Sequence, residues 1–273
     1  MNKGYLIQAT NEEELLQAEL LANSLVSKNK NCNVSLVTNL KVAENDCFDQ
    51  VLEYPFYTKL PTRSNDWQVY WATPYDYTIL LDCKMIILEN QESVWDYLIE
   101  HHDVCIPKKV IDFRKNLLEN NKSKIYEEEY NLISVHPHMV FFNKSDNALS
   151  YFKLLDPFMQ HWKDTCEHFF QKQHVPKDFD VYLMHSIAST FVDFDVICYH
   201  DIFTYIDMNV TMKDNILPEC NSWTDMLTTW YTEYNTLKIQ NYSLDTALYY
   251  HDDIFYTETI ADDFRNYRYT VTK

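Results

Sequence analysis

In the stretch YDYTILLDCKMIILEN, Asp82, Cys83 and Lys84 interrupt the most hydrophobic run of the chain. The carboxylate and the ammonium stand two positions apart, with apolar residues on both sides. A carboxylate at the end of a buried strand suits a hard divalent ion bridging a diphosphate, because Mg²⁺ and Mn²⁺ take oxygen ligands. A second carboxylate two residues on would complete that pattern, and lysine stands there instead. Other chemistry-bearing groups are weaker signals. His136-Pro137-His138 precedes an apolar run and reads as a poor metal pair. His161, Cys166 and His168 would not converge on a tetrahedral ion from one helix, and His101-His102 reads as solvated. The seven cysteines are scattered, odd in number and lack a CxxC, so neither structural zinc nor a disulfide framework is expected; reduced thiols in the cytoplasm fit better.

The elements that must position Asp82 begin with GYLIQAT (4–10), an apolar run fit for a buried strand. A helical pattern follows over 11–29, with Asn11 as N-cap and Glu12 to Glu14 favourable for the helix dipole. VSLVTN (34–39) is the next strand, which makes a β-α-β start to a parallel sheet. FDQVLEYP (48–55) reads as a third strand and NDWQVYWAT (65–73) as a short helix before Pro74. The fourth strand ends on Asp82, and ligands of open α/β sheets bind outside the carboxyl ends of strands. Further on, 91–102 reads as helix, 113–131 as a polar excursion, and 138–145 as a strand. One or two helices are expected around Pro157, then a helix over 180–191; WTDMLTTWYTEYN reads as helical and LKIQNY as extended.

Composition narrows the function. The chain of 273 residues has 41 acidic against 23 basic residues, a net charge of -18, which disfavours a broad nucleic-acid surface. Lys108, Lys109, Arg114 and Lys115 are its only dense basic group. Average usage would give roughly nineteen glycines, yet Gly4 is the only one. Neither a P-loop nor a GxGxxG turn can be written without glycine. Positive φ must then fall mostly to Asn and Asp. No stretch is long and apolar enough to span a membrane, and no signal segment is visible, which points to the cytoplasm.

The order YLIQATNEEELLQAELLANSLVSKNKNCNVSLVTN, FDQVLEYP, TPYDYTILLDCKMII, followed by HMVFFNKS, DVYLMHSIA and LKIQNYSLDTALYYHDDIFYTETIADDFRNY, resembles the nucleotide-sugar glycosyltransferases of the GT-A fold. It is most similar to family-8-like members found in bacteriophage genomes, and the composition would suit a viral gene. The resemblance implies a single α/β, Rossmann-like domain over 1–273 with a mostly parallel central sheet flanked by helices. Residues 1–90 would hold a nucleoside diphosphate sugar as donor and 91–273 an acceptor of unknown kind. The family's D-x-D maps onto Asp82-Cys83-Lys84, an altered motif. Its third metal ligand maps onto His251, and its phosphate-facing lysine maps near Asp253.

Three readings follow for the altered motif. Lys84 is a fixed cation doing the metal's work on the leaving diphosphate. Alternatively the protein is a degenerate homologue serving as a binding or scaffold protein. In the third, Lys84 turns away to pair with a carboxylate while Asp82, His251 and Asp252 hold Mn²⁺ or Mg²⁺. A base-modifying glycosyltransferase acting on nucleic acid is a further alternative. The resemblance places Ala9, Thr10 and Asn11 at the base or ribose; among nearby residues, Arg63 reads as reaching a donor phosphate or sugar or as a surface arginine, and Trp67 as stacking on a ring or as a core residue. Asp180 falls where an acidic group faces the sugar, although it would also serve as the N-cap of the next helix.

Overall fold

The computed structural model describes residues 2–42, 47–57, 61–118, 121–208, 223–229, 236–251 and 262–266. Strand β1 (Lys3–Ala9), helix α1 (Glu12–Lys28) and β2 (Val34–Thr38) form the expected β-α-β unit. Asn11 caps α1, its side chain accepting the Glu14 N–H at 2.9 Å, and Glu12, Glu13 and Glu14 fill the positive end of the dipole. Strand β3 (Gln50–Leu52) follows, then a 3₁₀ turn over Thr62–Gln68 running into α2 (Val69–Ala72), and β4 (Tyr77–Leu81). Beyond Asp82 come β5 (Met85–Ile86), α3 (Glu92–His101), β6 (Val104–Pro107), α4 (Asn121–Tyr130), β7 (Met139–Asn143), α5 (Asp146–Gln160), α6 (Trp162–Phe169) and α7 (Val181–Phe191). Short strands complete the order: β8 (Ile197–Cys198), β9 (Ile206–Asp207), β10 (Leu227–Thr229), β11 (Leu237–Ile239), β12 (Tyr242–Leu244) and β13 (Leu248–Tyr249).

Seven strands make one mixed sheet in the order β3-β2-β1-β4-β7-β6-β8. Pairing is parallel from β3 through β4 and again between β6 and β8, and β7 runs against both its neighbours. The central strands are mostly apolar and buried because both faces are covered, with Gln8, Ser35 and Thr78 as buried polar exceptions. On one face Tyr5, Ile7, Ile79 and Leu81 pack under α1 and α3 through Ala18, Leu21, Leu25, Trp95 and Leu98. On the other, Leu6, Leu80, Val140 and Phe142 pack under α5 and α7 through Phe152, Leu155, Met184 and Ile187. This is the α/β architecture expected of the sequence, with a largely parallel central sheet flanked by helices.

Local details differ from expectation. The polar excursion over 113–131 contains α4, and β6 and β8 extend the sheet where no periodicity announced them. The one or two helices expected around Pro157 are α5 and α6, with Pro157 inside α5 and the break at His161. WTDMLTTWYTEYN is not helical where described: one 3₁₀ turn leads into β10, whose Thr228 and Thr229 favour the extended form and pair with β11. Positive φ falls to Asn31, Asn131, Lys115, Gln240 and His251 among the described residues, so Asn takes two such places and Asp none.

Candidate active site

Asp82 follows the last residue of β4 and is almost fully buried. Its Oδ1 accepts the Lys84 N–H at 3.0 Å. Its Oδ2 faces two donors, Arg63 Nη1 and His138 Nδ1, each at 2.9 Å. A carboxylate can only accept, so His138 carries its proton on Nδ1 and its Nε2 accepts from the Tyr182 hydroxyl. A second chain has the same composition. Asp66 takes His185 Nε2 at 3.2 Å, and His185 Nδ1 accepts the Tyr151 hydroxyl at 2.8 Å.

Arg63 joins the two aspartates. Its Nε spans both oxygens of Asp66 at 3.0 Å, Nη1 reaches Asp82, and Nη2 reaches Asp66 at 2.6 Å and the Pro137 carbonyl. Gln8 of β1 donates to Asp66 Oδ1 at 2.7 Å and is itself held by the Tyr54 hydroxyl at 3.0 Å.

Burial alone would raise both carboxyls. For Asp82, the His138 hydrogen bond, the Arg63 charge and the Lys84 N–H outweigh it; for Asp66, Arg63 and His185 do. Both stay ionised well below the ordinary carboxylate range. Burial also pushes His138 and His185 down, which keeps them neutral despite their aspartates. Burial would lower Arg63 as well, and the two carboxylates reverse that.

The cleft beside this network has a volume of about 180 Å³. It is lined by Gln8 and Glu14 from β1 and α1, by Thr62 and Arg63, by Leu81 to Lys84, and by Tyr249 and His251. The chain thus brings Asp82, Lys84 and His251 into one cleft at the carboxyl ends of β1 and β4. His251 hydrogen-bonds through Nε2 to the buried Asp207 Oδ1 at 3.0 Å, and its backbone sits in the left-handed region at φ 55°. Tyr249 stacks on His138 with ring centroids 3.6 Å apart, which couples the end of β13 to the Asp82 network.

Other expected site residues lie elsewhere or are occupied. Ala9 is fully buried at the end of β1. Thr10 turns its N–H and hydroxyl to Glu14 Oε2 at 2.7 and 3.1 Å, and Asn11 is spent as the cap of α1. Arg63 lines the cleft, but its hydrogen bonds within the protein use four of its five N–H groups. Trp67 is a buried residue stacked on Phe56 at 5.3 Å and faces a different groove, lined also by Tyr57, Trp71, Lys153, Asp156 and Gln160. Asp180 caps α7, accepting the Leu183 N–H at 3.1 Å, and is not among the cleft-lining residues. Asp252 and Asp253 lie outside the described residues. Sequence reasoning weighed His138 only as half of a poor metal pair and missed Gln8, Glu14, Thr62, Asp66, Tyr182, His185, Asp207 and Tyr249 as site residues; only the buried polar types within apolar runs could have pointed to them.

Asp82 Oδ2 is filled by Arg63 and His138, while His251 gives its Nε2–H to Asp207 and keeps Nδ1 as its acceptor nitrogen. No three His, Cys, Asp or Glu donors converge in this cleft among the described residues.

No family model matches the chain, and no curated protein matches its sequence. Solved glycosyltransferase structures do match its fold. The apo structure of the bifunctional glycosyltransferase WbbM superposes with a TM-score of 0.55 at 12% identity, covering 98% of this chain and 49% of that one. The galactosyltransferase LgtC, in complex with donor and acceptor sugar analogues, gives 0.51 at 9% identity over 99% and 96% of the two chains. An active-site mutant of LgtC gives 0.51 at 11% over 98% and 95%. The chain therefore spans about half the length of WbbM and nearly all of LgtC. At these identities the likeness is one of fold: this chain has the fold of the GT-A-type glycosyltransferases.

Proposed function

We propose that the chain is a glycosyltransferase that holds a nucleoside diphosphate sugar in the Asp82 cleft and passes the sugar to an acceptor. The observation that carries this reading is the meeting of Asp82, Lys84 and His251 in one cleft at the carboxyl ends of parallel strands, in a chain that shares its fold with LgtC over nearly its whole length. Transfer breaks the bond between the sugar's anomeric carbon and the diphosphate oxygen and forms one to the acceptor. The departing diphosphate gains negative charge as that bond breaks. In this reading Lys84 is the preorganised cation that receives it. Arg63 holds the Asp82 carboxylate, and that carboxylate fixes the Lys84 backbone through its N–H.

Charge makes the role of Lys84 testable. Glu14, Asp66, Asp82 and Asp207 surround the cleft against the cations Arg63 and Lys84, so four negative groups face two positive ones. Removing Lys84 leaves the donor's phosphates facing carboxylates with one cation fewer. Calorimetric titration of uridine and guanosine diphosphates and their sugars is the test. Lys84→Gln is expected to weaken binding at least about tenfold, the worth of one charge-assisted hydrogen bond, and Lys84→Asp more. Binding that appears only with Mn²⁺ would transfer the role to a metal, and no binding in any condition sinks the reading. A second reading, a non-catalytic binding protein, is favoured by how fully Asp82 is engaged inside the protein. Donor binding without sugar transfer or donor hydrolysis would establish it.

A further inference from the structure

We propose that His102, Cys105 and Cys198 form a metal site at the β8 edge of the large sheet, taking a thiophilic divalent ion such as Zn²⁺. This does not rest on the glycosyltransferase reading. The imidazole nitrogen and the two thiol sulfurs all lie within 4.8 Å of one another. Cys105 and Cys198 are buried free thiols on β6 and β8. The Nε2 of His102 is buried and has no hydrogen-bond partner, which is unusual for a nitrogen withdrawn from water. The residue expected to be solvated thus turns its ring nitrogen inward, towards sulfur.

A disulfide explains the cluster less well. The register pairs Pro107 with Cys198 and Ile106 with Ile197, so Cys105 lies two residues before the position opposite Cys198, on the same face. With ~3.3 Å per residue along a strand and ~4.8 Å between strands, their Cα atoms are roughly 8 Å apart, beyond the reach of a bridge without backbone movement. Metal ligands tolerate that diagonal. Donors around a tetrahedral Zn²⁺ sit roughly 3.8 Å apart, so a small inward shift of the three side chains completes the geometry.

The chemistry agrees. Two thiolates and a neutral imidazole cancel a divalent charge inside the protein. His102 and Cys105 both follow directly from the end of α3, where the His102 N–H bonds back to Leu98 at 3.0 Å, and the short connection holds the pair together. The fourth position is left to water.

The test is a Co²⁺ titration of the reduced, chelator-treated full chain. One equivalent should bind with a near-ultraviolet thiolate-to-cobalt charge-transfer band, and Zn²⁺ should displace it. Oxygen and nitrogen donors such as Asp82 and His251 give no such band. Cys198→Ser should abolish the band, and His102→Gln should weaken binding at least about tenfold. Binding without the band, a band that survives Cys198→Ser, or a Cys105–Cys198 disulfide in the unreduced protein overturns the proposal. Should the serine variant not fold, X-ray absorption on the zinc-loaded wild type decides: two sulfur ligands support the site and fewer overturn it.

Discussion

Arg63 shows what a single side chain can hold in place. It is the one guanidinium between two buried carboxylates, each of which leads into a histidine and a tyrosine. Removing the cation while leaving both charges buried costs about 3–5 kcal/mol by the usual behaviour of such pairs. Arg63→Met is therefore expected to lose that much in urea denaturation, and adding Asp82→Asn should recover part of it. A fully additive double variant would show that the two residues do not communicate. At this scale the sequence disclosed the odd residues but not their partners. Asp82 and Lys84 stand out by type and setting, and His251 only through the resemblance. Asp66, His138 and His185 look like ordinary polar residues until the fold closes distances that sequence spacing hides. Asp180 takes up one of its two expected roles, the cap of α7; a good N-cap and a good catalytic acid look alike in one dimension.

Elements were legible where local periodicity and tertiary demand agree. Strand β1, helix α1 and strand β2 repeat clear patterns and carry their own caps, so they follow from residues 3–38 alone. Strands β6 and β8 are short and gain their identity from pairing, and β10 overrides its apparent helicity for the same reason. The only glycine belongs to this scale. A Cβ built on Gly4 would come within 2.4 Å of the Tyr75 ring, which crosses over β1 while its hydroxyl pairs with Ser35 at 2.6 Å. A Gly4→Ala variant is expected to lose about 2 kcal/mol through overpacking, read as a lowered urea midpoint. Tyr75→Leu should cost something alone yet remove most of the added cost of Gly4→Ala. If the alanine is equally costly in both backgrounds, the tyrosine ring is not the cause.

For the whole molecule, acidity is the sensitive variable. His136 is buried, its Nδ1 has no hydrogen-bond partner, and burial pushes it down to about 4 although Asp207 pulls the other way. The unfolded imidazole titrates near 6.5, so as pH falls the unfolded chain takes up the proton first. Stability from this group is complete above 6.5 and is lost between there and about 4, a change of roughly 3 kcal/mol. His138 and His185 act in the same direction. Asp66 and Asp82 add a further loss only below the unfolded carboxylate value of 3.8. Melting temperature should therefore fall steadily across that window, and His136→Phe should fall less; parallel curves for the two would exclude His136 as a source. Two residues of the dense basic group are already paired, Lys109 with Asp201 at 3.6 Å and Lys115 with Asp245 at 2.8 Å, in a chain of net charge -18.

The small sheet of β5, β13 and β9 also sets a schedule for synthesis. Met85 and Ile86, just past Asp82, pair with Leu248 and Tyr249, which pair in turn with Ile206 and Asp207. A ribosome delivers the first β-α-β unit well over a hundred residues before the walls contributed by Tyr249 and His251. Nascent chains stalled before that point should carry the parallel strands and an unfinished Asp82 cleft, so any ligand of that cleft cannot aid folding until residue 251 has emerged. Protection of Asp82-side amides in stalled chains of increasing length would appear in one late step.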